Sequence, residues 1–134
     1  MAKKQKRWVY SPSKPKVPDN IKTTVKAKAD ELVETALKPQ NIKPPPEDMA
    51  FNYVVDIYTK WYRNYFYFCA TYANPRPDAI TSHFETKFAR LEYVEKDWYH
   101  LSYMRHTGKW WEVYPDLSLD ECLTAIKDDP LFMP

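Results

Sequence analysis

Residues 51–72 limit what this chain can fold into more than any other stretch. They read Phe-Asn-Tyr-Val-Val-Asp-Ile-Tyr-Thr-Lys-Trp-Tyr-Arg-Asn-Tyr-Phe-Tyr-Phe-Cys-Ala-Thr-Tyr. In the first half, Phe51, Tyr53, Val55, Ile57, Thr59 and Trp61 alternate with Asn52, Asp56 and Lys60. A period of two places successive side chains on opposite sides of a strand, so one side is set to be buried. Aromatic and β-branched residues dominate and suit a pleated surface. From Tyr65 to Tyr72 the chain is apolar on both sides, which predicts a strand with a neighbour on each edge. Arg63 and Asn64 interrupt the run as a turn, so the stretch predicts a long antiparallel hairpin.

The remaining elements follow in order. Ile21, Val25, Ala29, Leu32, Val33 and Ala36 recur at helical spacing. They predict a helix over about 20–38, capped by Asp19 or Asn20 and ended by Pro39. Lys43-Pro44-Pro45-Pro46 is a stiff spacer leading to the sheet. After a loop at Asn74-Pro75-Arg76-Pro77-Asp78, residues 84–94 form a third strand, with Phe88 or Leu91 inward according to register. Glu95-Lys96-Asp97 turns the chain into a fourth strand, 98–105. His106-Thr107-Gly108-Lys109, holding the only glycine, turns it into a short fifth strand, 110–114. Ser118-Leu119-Asp120-Glu121 is a capping box that opens a helix to about Lys127, closed by Pro130. Its apolar side carries Leu119, Cys122, Leu123 and Ile126. The expected architecture is α+β in two layers. An antiparallel meander of about five strands carries the N-terminal and C-terminal helices on one face.

Charge divides the chain into an arm and a domain. Residues 1–18 hold Lys3, Lys4, Lys6, Arg7, Lys14 and Lys16 and no acid, with Pro12, Pro15 and Pro18 spaced through them. They read as a flexible basic arm, which Trp8, Val9 and Tyr10 could dock on the domain. Residues 19–134 hold 14 basic and 18 acidic residues, a mildly acidic single domain. The arm has no apolar core of the kind a signal peptide needs, and no apolar run reaches the ~18 residues of a membrane span. Cys69 and Cys122 fall in predicted buried elements and read as free thiols. A cytoplasmic protein without membrane contact is expected.

Catalytic chemistry finds little support. A single glycine excludes the glycine-rich phosphate loops. His83, His100 and His106 have no metal-ligand spacing, so neither a metal nor a cofactor is expected. Cys69 lies among Phe66, Phe68 and Ala70, an apolar setting that raises a thiol's pKa, and no nucleophile motif is present. The expectation is a binding module, not an enzyme. Basic residues interleave with aromatic ones at Lys60, Trp61 and Arg63, at Tyr103 and Arg105, and at Trp110 and Trp111. These seven are the candidate contact residues of an aromatic sheet surface. A protein partner or a second copy is the first reading, since Trp, Tyr and Arg anchor such interfaces. Single-stranded nucleic acid, RNA included, is the alternative: bases would stack on the sheet and the arm would hold phosphates. A small molecule in a cleft lined by Tyr53, Tyr67, Tyr103, Trp110 and Trp111 is a further alternative.

Two pieces also carry a likeness. Residues 51–63, Phe-Asn-Tyr-Val-Val-Asp-Ile-Tyr-Thr-Lys-Trp-Tyr-Arg, and 101–114, Leu-Ser-Tyr-Met-Arg-His-Thr-Gly-Lys-Trp-Trp-Glu-Val-Tyr, resemble a group of small bacterial proteins of unknown function. The resemblance implies a bacterial, cytoplasmic origin and brings no activity, ligand or catalytic residue with it.

Overall fold

The computed structural model describes residues 16–45, 47 and 51–134. Most of the basic arm and part of the proline spacer therefore lie outside the described residues. The chain enters as helix α1 (Asp19–Leu32), a π-helical turn (Val33–Leu37) and a last α-helical turn, α2 (Lys38–Asn41). Five strands follow: β1 (Tyr53–Tyr62), β2 (Tyr65–Ala73), β3 (His83–Glu95), β4 (Trp98–Met104) and β5 (Trp110–Leu117). Helix α3 (Leu119–Asp128) and a 3-10 turn (Pro130–Phe132) complete it. All neighbouring strands are antiparallel and lie in sequence order, so the sheet is the expected meander, open, with β1 and β5 at its edges.

The first helix departs from expectation at both ends. Its N-cap is Pro18, whose carbonyl accepts from the Lys22 amide at 3.0 Å. Neither Asp19 nor Asn20 supplies a side-chain cap; Asp19 sits inside the first turn, where its carboxylate suits the helix dipole. At the other end Pro39 does not stop the helix. Proline has no amide hydrogen, and its ring collides with the carbonyl four residues back. The preceding turn widens instead, and the Lys38 amide bonds to the carbonyl of Val33, five residues back. Helical geometry then resumes to Asn41.

Bulges set which side chains face the helices. A register shift between Val54 and Asp56 breaks the expected alternation of β1. Val54, rather than Val55, packs with the core on the side of Ile57, Thr59 and Trp61. A second shift, where β2 Phe68 pairs with Ala89 and Cys69 with Lys87, leaves Phe88 as the extra residue of β3. Strict alternation would make Phe88 and Leu91 mutually exclusive, being an odd number apart. With the bulge both are buried, and Phe88 meets Phe68 at 6.2 Å between ring centroids.

The core lies between this side of the sheet and the helices. Val25, Ala29, Val33 and Leu37 of the first helix and Leu119, Cys122 and Ile126 of α3 meet Ile57, Phe66, Phe68, Leu91, Tyr99 and Leu101. Phe66 and Phe68 pack edge to face at 5.6 Å. Val17, within the stretch read as arm, is buried in the same core. A polar seam crosses the interface. Lys26 Nζ donates to Thr59 Oγ1 at 2.8 Å and to the Thr59 carbonyl at 3.1 Å, while Thr59 Oγ1 donates to Asp30 Oδ1 at 2.5 Å. The expected capping box of α3 is complete: the Glu121 amide donates to Ser118 Oγ at 3.2 Å and the Ser118 amide to Glu121 Oε1 at 2.9 Å. Lys28 Nζ and Asp120 Oδ1, 3.3 Å apart, join α1 to α3.

Candidate functional site on the helix-free face

Because β2 sends Phe66, Phe68 and Ala70 into the core, its alternate residues Tyr65, Tyr67, Cys69 and Thr71 point to the side that has no helix among the described residues. Register brings Arg90 opposite Tyr67, Lys87 opposite Cys69, and Lys60 opposite Tyr67 from the other edge. Trp110, opposite Met104 on β5, closes an arc across this side. The Arg90 guanidinium lies 4.5 Å from the Tyr65 ring centroid and 4.8 Å from that of Trp110. Tyr67 and Trp110 are 5.8 Å apart, and Lys87 Nζ is 5.6 Å from the Tyr67 ring. A cation over an aromatic face gains from the ring quadrupole, by about 0.5 to 2 kcal/mol as it is desolvated. Beneath the arc Ser102 is only 2 % exposed. Arg90 Nε is buried without a hydrogen-bond partner among the described residues.

Beside the arc, burial raises the pKa of the Tyr58 phenol, helped by its hydrogen bond to Glu85. Burial also raises the Cys69 thiol, although Lys60 and Lys87 pull the other way. Cys122, on the inner side of α3, is pushed up to about 12 by burial. Both thiols are free. A thiol held protonated is a poor nucleophile, so neither has the character of a catalytic cysteine. His83 Nδ1 lies 3.0 Å from Ser82 Oγ, and His100 Nδ1 accepts from the Asp116 amide at 3.3 Å. No three His, Cys, Asp or Glu side chains among the described residues are placed to share a metal ion. No helix among them is long and apolar enough to cross a membrane.

The seven residues singled out from the sequence fall in three places. Lys60 and Trp110 lie on the helix-free face. Trp61 turns to the helices, where its Nε1 donates to the Lys22 carbonyl at 3.2 Å and its ring meets Phe66 at 5.0 Å. Tyr103 also faces that way, edge-on to Phe132 at 6.4 Å. Trp111, opposite Tyr103, reaches past the helical cover, is 54 % exposed, and carries the Arg105 guanidinium 4.9 Å over its ring. Arg63 sits in the β1–β2 turn at φ 55°, over the Tyr62 ring at 5.2 Å. Of the residues considered for a cleft, Tyr67 and Trp110 lie on one side of the sheet and Tyr103 and Trp111 on the other. Tyr65, Lys87 and Arg90 were missed as contact candidates. Alternation puts Lys87 and Arg90 on opposite faces, and only the bulge at Phe88 unites them.

A concavity of about 410 Å³ runs between β5 and α3. Tyr114, Leu117, Thr124 and Ala125 line it with Asp120 and Glu121. Tyr114 Oη donates to Asp129 Oδ2 at 2.8 Å, and that bond holds the phenol's pKa above its usual value.

These features define a small two-layer α+β domain, an open meander sheet with helices on one face and a cation-threaded aromatic arc on the other. Residues 4–134 match the family described as a domain of unknown function, DUF3024, and the chain belongs to that family. No curated protein and no solved structure matches it.

Proposed function

We propose that the chain is a non-catalytic binding module whose contact surface is the aromatic side of its sheet, and that its partner is a protein, a second copy included. The observation that supports this most is the arc of Tyr65, Arg90, Trp110, Tyr67 and Lys87 on the side that no helix among the described residues covers. Large rings held rigid by their neighbours lose little entropy on contact, and Trp, Tyr and Arg dominate interface energetics. Cytoplasmic and bacterial settings fit this reading, supported by two free buried thiols and the sequence likeness. Sedimentation over a wide concentration range, with capture on immobilised chain, tests it. Trp110→Ala should weaken self-association or capture at least tenfold while the fold persists. Association unchanged in Trp110→Ala and in Tyr67→Ala would end the reading.

The single-stranded nucleic-acid alternative has one observation of its own: cations and rings do alternate along this face. Against it, those cations already occupy ring faces that bases would need. Anisotropy of a labelled single-stranded RNA at low salt decides; no change at low salt removes the alternative.

A further inference from the structure

We propose that copies of this chain join head to tail, the α1–β1 edge of one docking against the α3–β5 edge of the next. The occupant of each edge is a second copy of the chain, and the aromatic arc takes no part in the contact.

Each end of the sheet carries a groove between its outer strand and a helix. At one end a concavity of about 460 Å³ is lined by Trp61 of β1 and by Lys22, Thr23, Lys26 and Ala27 of α1. At the other, Tyr114 and Leu117 of β5 face Asp120, Glu121, Thr124 and Ala125 of α3. The two ends match in form. Each has a ring on the strand and, on the helix, residues at i, i+1, i+4 and i+5, which make one continuous ridge. Each ridge holds a threonine and an alanine, small enough for the helix of a neighbouring copy to come close.

The ends are opposite in charge. One ridge has Lys22 and Lys26, the other Asp120 and Glu121. Their surroundings extend the contrast. Residues 16–28 carry Lys16, Lys22, Lys26 and Lys28 against Asp19 alone. Residues 112–129 carry Glu112, Asp116, Asp120, Glu121, Asp128 and Asp129 against Lys127 alone. Within the chain Lys26 pairs with Asp30 and Asp120 with Lys28. Both pairs are open to solvent and weak, so they can change partners. Opposite potentials steer unlike ends together and hold like ends apart.

Topology keeps one chain from satisfying both ends. β1 and β5 bound a five-stranded sheet and stand about 19 Å apart at the usual strand spacing. A contact between two different surfaces builds a row or a ring of copies, never a two-fold dimer. The bulge between Val54 and Asp56 in β1 and Pro115 in β5 both work against a main-chain ladder between copies. The contact therefore lies between the helix ridges and the rings beside them.

Sedimentation of the full chain carrying Trp110→Ala tests this. That background silences the aromatic face, so the outcome does not depend on the reading above. Up to about 1 mM, the range of a weak contact, species beyond the dimer should appear. Lys22→Glu with Thr23→Glu should leave a monomer, and so should Asp120→Lys with Thr124→Lys. These pairs spare Lys26 and its seam, and Glu121 and its capping box. Mixed one to one, the two variants should associate again, because each supplies the charge the other lacks. Far-UV circular dichroism reports whether each variant keeps its fold. If a charge reversal unfolds the chain, Lys22→Ala and Asp120→Ala take its place, each weakening association about threefold. A chain that stays monomeric throughout, association that stops at a dimer, folded variants that still associate alone, or a mixture that stays monomeric would each overturn the proposal.

Discussion

Thr59 shows how much can hang on one hydroxyl. It is 4 % exposed, donates to Asp30 and accepts from Lys26, so it is the buried end of a network whose charged partners reach solvent. Thr59→Val keeps the shape and removes both bonds, leaving the Asp30 and Lys26 heads to water. We expect a loss of about 1–3 kcal/mol in urea unfolding, with most of it recovered by Thr59→Ser. Phe66, 0 % exposed and in ring contact with both Trp61 and Phe68, belongs to a harsher class. Phe66→Ala opens a cavity in a close-packed layer and should cost about 3–5 kcal/mol. The cysteines give a kinetic reading of the same burial. With the Cys122 pKa moved from 9.0 to about 12, its thiolate fraction near neutral pH falls by about a thousandfold. Neither thiol should react with a disulfide reagent within minutes at about pH 8, and both should react at once in denaturant. Rapid labelling of the native chain would contradict the burial described.

At the scale of elements, the pattern of residues announced each strand and helix but not the irregularities inside them. Alternation located β1 and β2, yet a bulge is one extra residue with no composition of its own, and Val55 and Phe88 look like ordinary strand residues. That is why the cations of the aromatic arc escaped notice: Lys87 and Arg90 share a face only once Phe88 has slipped the register. Pro39 misled for a related reason, since the rule that proline ends a helix ignores the option of a widened turn before it. The capping box was legible because it is local. Ser118 and Glu121 need only each other and one turn of helix. Ser118→Ala should therefore cost about 1 kcal/mol in thermal unfolding, confined to α3, with amides 119–122 exchanging faster and β2 unaffected. A loss spread evenly over the sheet would show that the cap does more than start the helix.

For the molecule as a whole, burial of neutral acids makes alkali the sensitive direction. Cys69, Cys122, Tyr58, Tyr72 and Tyr99 all have pKa values raised chiefly by burial. The native state keeps protons that the unfolded chain gives up near 9.0 for a thiol and 10.0 for a phenol. Wherever the native state binds more protons, stability falls as pH rises. Lys38, raised by its hydrogen bond to Glu34, acts with the same sign above 10.5, because its charged form is the one the folded chain favours. The loss therefore begins near pH 9, where the unfolded thiols ionise, and deepens as the phenols follow. For the fully buried Cys122 and Tyr99 it approaches about 1.4 kcal/mol per pH unit for each group. Urea midpoints should be level from about pH 7 to 8.5 and then drop steeply toward about pH 11. Cys122→Ala should make that drop shallower by one proton, at some cost in packing. Ionisation on one side of the sheet acts on the other, because Tyr58 and Cys69 share strands with Ile57 and Phe68. Unfolding in alkali should accordingly be a single transition, with tryptophan emission and far-UV circular dichroism lost together. Separate transitions would mean that the aromatic face can loosen while the helix-covered core stands.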